Sequence, residues 1–298
     1  GRPVTDPAAR AEVARVWGVA SLPDRPGEDA AGIIAAAAAG ERGALLVGGV
    51  DPYDLPDPEA MLRALERTPF VVSLEQRPSA VTDRADVVFP VAAVAEKSGT
   101  FVDWEGRGRP FDTVLRSAGR RSDLGVLDAL ADEMDVHLGL PGPEAARREL
   151  TELGAYRGER PDAPDVPQAL APVPERGEAL LATWRLLLDR GRLQDGEPFL
   201  AGTAKAAVAR LSPATAAEIG AGEAVTVSTD RGEVTLPLEV TADLPDRVVW
   251  LPTNSAGCSL YRDLGAVAGD VVRIAGGVLA GATAATAAAS DENAGGSK

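Results

Sequence analysis

The apolar positions change period several times along the first 150 residues. DPAARAEVARVWG (6–18) carries helical spacing, with Asp6 as cap, Pro7 in the first turn and Gly18 at the end. A second helix is predicted over 28–39, stopped near Gly40. ALLVGGV (44–50) is then a continuous apolar run ending in glycines, as expected of a buried parallel strand. PEAMLRALERT (58–68) returns to helical spacing, with Met61, Leu62 and Leu65 on one face. FVVSLEQ (70–76) and DVVFPVAAV (86–94) read as two more buried strands, the last stopped or bent by Pro90. Strand, helix, strand, short crossover and strand predict an α/β domain with a mostly parallel sheet. Ligands of such sheets bind beyond the carboxyl ends of the strands, which points to the loops after Val50, Leu74 and Pro90.

Further along, 122–142 predicts a helix with Ser122 as cap and Gly139 as stop. Residues 157–177 are dense in proline and charge and predict a linker. EALLATWRLLLDRG (178–191) predicts an amphipathic helix ended by glycine. From about residue 198 the pattern becomes β. After a short helix at 212–223, capped by Ser212, come AVTVST, EVTLPLEVT, RVVWLP and DVVRI, with DRG (230–232) as a hairpin turn. Closely spaced short strands predict a small barrel. The expected organisation is an α/β segment at 1–156, a Pro-rich linker and helix at 157–197, a barrel at 198–278, and a disordered tail at 279–298.

Composition narrows the function classes. Hydrophobic residues make up 45% of the 298, but aromatics only 4%, so the core must be built from Ala, Val and Leu. A net charge of −15 argues against nucleic acid and anionic membrane partners, which need basic footprints. Cys258 and His137 are single, which excludes an internal disulfide, a cysteine-held cluster or a multi-histidine metal site within this stretch. The apolar runs at 32–40 and 271–290 are too short or too weakly hydrophobic for a membrane span. The opening GRPVTDPAAR reads as mid-protein sequence, without a signal peptide.

Few residues suggest chemistry. Gly48-Gly49 with Asp51-Pro52 after the first strand would let a ligand approach the backbone, or would simply make a tight turn; no G-x-G-x-x-G is present. Glu75 at the end of the second strand suits a ribose, or is a solvated strand end. Cys258 lacks a nearby base and reads as a small core residue, and His137 as a helix-end surface group. EKSGTFVDWEGRGRP (96–110) is the richest stretch. Its Arg107 and Arg109 alternate with Gly106 and Gly108, so they either grip an anion together or pair with Asp103, Glu105 and Asp112.

RADVVFPVAAVAEKSGTFVDWEGRGRPF resembles the signature of molybdopterin oxidoreductases. LSPATAAEIGAGEAVTVSTDRGEVTLPLEVT resembles the molybdopterin-dinucleotide-binding domain of that superfamily, a double-psi β-barrel. Order and spacing agree over roughly residues 40 to 275. ALLVGGVDPYDLPDP, FVVSLEQRPSAVTDRADVVFPV and WLPTNSAG look most like the C-terminal part of the large iron–sulfur subunit of bacterial NADH:quinone oxidoreductase, respiratory complex I. That resemblance implies a structural scaffold in the peripheral arm, on the cytoplasmic side of the inner (plasma) membrane. It implies other subunits of the complex as partners, with no nucleic acid and no direct membrane insertion. Iron–sulfur clusters would sit in an N-terminal portion outside this stretch, with no molybdopterin and no catalytic or metal-binding residue here. A vestigial pterin cleft would be marked by Gly49, Asp51, Glu75, Gly99, Thr100, Asp103, Gly106, Arg107, Arg109 and Asn254. The competing reading is a fragment of an active molybdenum or tungsten bis-pterin oxidoreductase, such as a formate dehydrogenase.

Overall fold

A computed structural model describes residues 1–116, 119–163, 165–166 and 172–279. The chain divides into two compact units: Gly1–Val50 with Glu59–Pro167, and Asp51–Pro58 with Gln168–Lys298.

The first unit opens with helix α1 (Pro7–Trp17), where the Asp6 carboxylate accepts from the Ala8 N–H at 2.9 Å and Gly18 ends the helix at a φ of 65°. Helix α2 (Ala30–Ala38) is capped by Asp29. Strand β1 (Leu45–Gly48) leads through α3 (Pro58–Arg67) to β2 (Val71–Glu75) and then β3 (Val87–Pro90). The three strands are parallel in the order β1-β2-β3, with Gly48 opposite Leu74 and Leu74 opposite Phe89. A hairpin follows, β4 (Gly99–Val102) and β5 (Gly108–Phe111), which the sequence pattern had not predicted. Helix α4 (Asp123–Glu133) lays Val126 and Leu130 on Leu74, Val91 and Phe89. Helix α5 (Pro143–Leu153) meets α1, where Arg2 donates to the Leu153 carbonyl and Tyr156 donates to Asp6 at 2.7 Å.

The helix expected over 122–142 is shorter than predicted. Met134 closes α4, Asp135 turns left-handed with a φ of 59°, and the Val136 N–H bonds back to the Ala131 carbonyl. Asp is among the few non-glycine residues that adopt this conformation at modest cost, so the helix stops before Gly139.

The second unit is a closed six-stranded barrel. Its strands are β6 (Glu178–Trp184), β7 (Ala209–Leu211), β8 (Ala224–Ser228), β9 (Glu233–Val240), β10 (Val248–Pro252) and, after the small ladder of β11 (Asn254–Ser255) with β12 (Cys258–Ser259), β13 (Val271–Gly277). Short helices α6 (Pro198–Ala201) and α7 (Pro213–Glu218) interrupt them. Around the barrel the order is β10-β6-β13-β8-β9-β7. The β6–β10 and β7–β9 pairs are parallel and the others antiparallel. Closure removes exposed sheet edges. The core is aliphatic, as composition requires: Leu181, Leu211, Val225, Val227, Val249, Leu251, Leu260, Leu264 and Val272 are all nearly inaccessible.

The predicted helix at 178–191 is overturned. Residues 178–184 form β6, and the barrel therefore begins ahead of residue 198. EALLATW fits either period locally. The decision comes from the slot between β10 and β13, whose backbone groups would be left unsatisfied without a strand between them. In that slot Ala179 and Leu181 point into the core at 0% and 2% exposure. Among the described residues no helix is long and apolar enough to cross a membrane. Residues 280–298, most of the expected tail, lie outside the described residues.

Candidate functional site

In the first unit the stretch singled out by sequence is the hairpin β4–β5. The Asp103 carboxylate accepts from the backbone N–H groups of Glu105 (3.0 Å) and Arg107 (2.8 Å), and Gly106 completes the turn with a φ of 82°. The Arg107 guanidinium pairs with Glu105 at 2.8 Å. Arg109 lies opposite Phe101 in the ladder. At the hairpin base, Arg147 of α5 donates to the Thr100 hydroxyl (2.9 Å) and the Gly99 carbonyl (3.0 Å). A Cβ at Gly99 would stand 2.7 Å from the Phe111 ring, so only glycine leaves room for the Phe101–Phe111 stack, with centroids 4.8 Å apart. Glu105 is one of the carboxylates named as a partner for Arg107.

Gly49 follows β1 with a φ of 63°, which supports the tight turn. Glu75 ends β2, where its carboxylate accepts from the N–H of Gln76 at 3.0 Å. It edges a hollow of about 180 Å³ with Arg77, Thr82 and Pro90.

In the second unit Asp51 and Asn254, 203 residues apart in sequence, border one cleft of about 750 Å³. Asp51 caps the turn Pro52–Asp54 by accepting from the Tyr53 N–H. The Asn254 carbonyl accepts from the Arg190 N–H at 2.9 Å. Most of the other polar lining comes from the loop after β6, with Asp189, Arg190, Arg192, Gln194, Asp195 and Glu197, and Arg262 comes from the turn after β12. Sequence reading missed this loop: the helix predicted over 178–191 took in only its first three residues, and the rest fell in the 157–197 linker-and-helix segment. The density of charge in DRGRLQDGE (189–197) was the available signal.

The cleft's charges are largely answered within the chain. Arg192 pairs with Asp195 at 2.8 Å and Arg262 with Asp263 at 2.9 Å. Asp189 holds Arg185 at 2.8 Å, and Arg185 also holds Asp54 at 2.7 Å; these two carboxylates raise its pKa further. Carboxylates Asp51, Asp189, Asp195 and Glu197 line the same cleft as Arg190, Arg192 and Arg262.

Cys258 is buried, its thiol donating to the Pro252 carbonyl at 3.5 Å. Burial, and then the field of Asp263, push its pKa up to about 12, the opposite of nucleophile activation. His137 sits exposed past α4 with Nδ1 3.2 Å from Asp132. Among the described residues no three His, Cys, Asp or Glu side chains converge as metal donors.

An open parallel sheet, a closed six-stranded barrel and a polar cleft bordered by Asp51 and Asn254 invite comparison with known proteins. Residues 8–133 match the model of the molybdopterin oxidoreductase family, and residues 194–294 that of the Molydopterin dinucleotide binding domain. The chain belongs to the molybdopterin oxidoreductase superfamily. Acetylene hydratase from Pelobacter acetylenicus shares the fold, with a TM-score of 0.58 over 93% of this chain and 50% of that one, at 17% identity.

Within the superfamily the chain is strongly similar to the G subunit of NADH-quinone oxidoreductase. The Mycobacterium tuberculosis protein is 58% identical over 93% of this chain and 35% of its own length. The Streptomyces coelicolor protein is 54% identical over 95% and 34%. The chain thus spans about a third of the length of these relatives. A nitrate reductase of Symbiobacterium thermophilum matches only 45% of the chain, at 33% identity.

Proposed function

We propose that this chain is the C-terminal segment of the large iron–sulfur subunit, the G subunit, of an NADH:quinone oxidoreductase, and that it is a folded scaffold there without a redox centre of its own. In this reading its barrel is of the double-psi type. The segment works on the cytoplasmic side of the membrane within the peripheral arm, contacting other subunits of the complex. Electrons pass from NADH to quinone through iron–sulfur clusters held elsewhere.

The observation that carries the reading is the internal neutralisation of the groups that would face a pterin dinucleotide. Such a ligand brings a pyrophosphate, which needs uncommitted donors and positive charge. The cleft lined by Asp51 and Asn254 instead presents four carboxylates (Asp51, Asp189, Asp195, Glu197) beside three arginines, two of them paired to Asp195 and Asp263. In the hairpin, Asp103 is committed to its own turn and Arg107 to Glu105. Desolvating a pyrophosphate against this lining costs more than the pairing returns. The residues present do not fit the group. In this reading Gly49, Glu75, Gly99, Thr100, Gly106 and Arg109 of the first unit, and separately Asn254 of the second, keep an inherited local shape rather than working ligand contacts.

The bis-pterin enzyme reading has weaker support, since relatives 54–58% identical over more than 90% of the chain are G-subunit proteins. The test is to tag the natural gene product that contains this chain and isolate it from its host. Co-purification with NADH:quinone activity, with iron but no stoichiometric molybdenum or tungsten, is expected. Stoichiometric molybdenum or tungsten with an extractable pterin would overturn the reading.

A further inference from the structure

The hairpin β4–β5 is finished as a structure but unfinished as a surface. Its turn is locked by Asp103 and Gly106, and its base by Arg147. Yet Trp104 at its tip is 94% exposed, and Phe101 and Val102 beside it are each 61% exposed. Val114 and Leu115, just past β5, extend the apolar surface. A lone two-stranded ribbon is marginal in water, and contiguous exposed apolar groups of this kind mark contact surfaces. A rigid exposed tryptophan loses little entropy on burial and is the side chain most often found anchoring a contact.

We propose that this hairpin is an intramolecular anchor, seated by Trp104 and Phe101 on the polypeptide that the G-subunit proteins carry outside the matched region. The inference rests on the functional assignment proposed above. Two observations select this occupant. The relatives are about three times as long as the matched stretch, so a large remainder of the same chain is at hand at high effective concentration. Arg109 and Arg116, beside the apolar patch, make no ion pair among the described residues of a chain with 45 acidic groups against 30 basic ones, so the seat would supply the carboxylates. A pocket of apolar walls with an acidic rim is the surface that fits. The inherited hairpin would thus be kept for holding the subunit together.

Hydroxyl-radical footprinting with mass spectrometry reads this directly on the natural full-length subunit, purified alone and within the assembled complex. Each site is referred to its rate in the denatured chain. Trp104 and Phe101 are expected to be protected about tenfold or more in the subunit purified alone, as side chains removed from solvent are. Protection near one in both samples would overturn the proposal. Protection that arises only on assembly would overturn it too, by assigning the seat to another subunit. Failure of the gene product to co-purify with the oxidoreductase would instead remove the functional assignment, a result separate from the footprint.

Discussion

Replacing Leu181 by alanine tests the most consequential departure of the structure from the local pattern. Leu181 lies in β6 with 2% exposure, between the ladders to β10 and β13, and its neighbours include the closed aliphatic core. Truncation removes three carbons from burial, about 2.4 kcal/mol at roughly 0.8 kcal/mol each. Barrel strands paired on both sides collapse little, so a residual cavity of about 50 Å³ adds roughly 1.2 kcal/mol. The expected loss is about 3.5 kcal/mol. Leu180, the next residue, points away from the core and is half-buried; its truncation should cost about 1 kcal/mol. Urea unfolding followed by tryptophan fluorescence reads the barrel, because Trp250 is 3% exposed within it. Leu181→Ala should lower the midpoint by roughly 1 to 2 M and Leu180→Ala by a fraction of that. Equal costs at the two positions, or a loss under about 1 kcal/mol for Leu181→Ala, would refute the alternation that defines β6.

Four further outcomes are expected. With its thiol pKa pushed up to about 12, Cys258 should resist iodoacetamide in the folded protein through about pH 9 and react readily once urea unfolds it. Because that pKa is raised above the ordinary thiol value of about 8.5, the stabilisation tied to it is complete below about pH 8.5 and fades as pH climbs toward 12; a Cys258→Ala variant should show a flatter alkaline limb in thermal melts. A double-mutant cycle between Arg185 and Asp54, both partly exposed, should give a coupling of about 0.5–1 kcal/mol that shrinks in about 1 M NaCl; a salt-independent coupling would contradict an ion pair. Ser212→Ala removes the cap that accepts from the Thr215 N–H and the hydroxyl that donates to Asp246 at 2.6 Å, and should cost about 1–2 kcal/mol in the same urea assay.

Of the cleft's residues, Asp51 and Asn254 were named through the family resemblance, while those from 189 to 197 escaped recognition. Without the resemblance, Asp51 reads only as a turn residue and Asn254 as a polar residue after an apolar run. They meet because the turn Pro52–Asp54 belongs to the barrel unit, held there by Arg185 on Asp54 and Arg231 on Asp57. Ion pairs between residues this distant leave no periodic trace. The charges from 189 to 197 were visible but unplaced, since the predicted helix ended at 191 and no hydrophobic period marks the loop beyond it.

Much was nonetheless legible from the chain alone. Helices α1 and α7 announce themselves by Asp6 or Ser212, a proline next and a glycine after, because caps and left-handed stops are local chemistry. Strands β1, β2 and β3 are legible as short apolar runs, although only the central β2 is without an exposed position. The pairing of Arg107 with Glu105 could be weighed from acidity and spacing. What only the tertiary structure decided is whatever depends on edges and partners. EALLATW became a strand because two strands needed it between them, and in the hairpin Gly99 leaves room for the Phe101–Phe111 stack while Gly106 makes the turn. Local propensity is worth tenths of a kcal/mol per residue, whereas an unpaired buried backbone edge or a clash with an aromatic ring costs whole ones, so at these positions the long-range term wins.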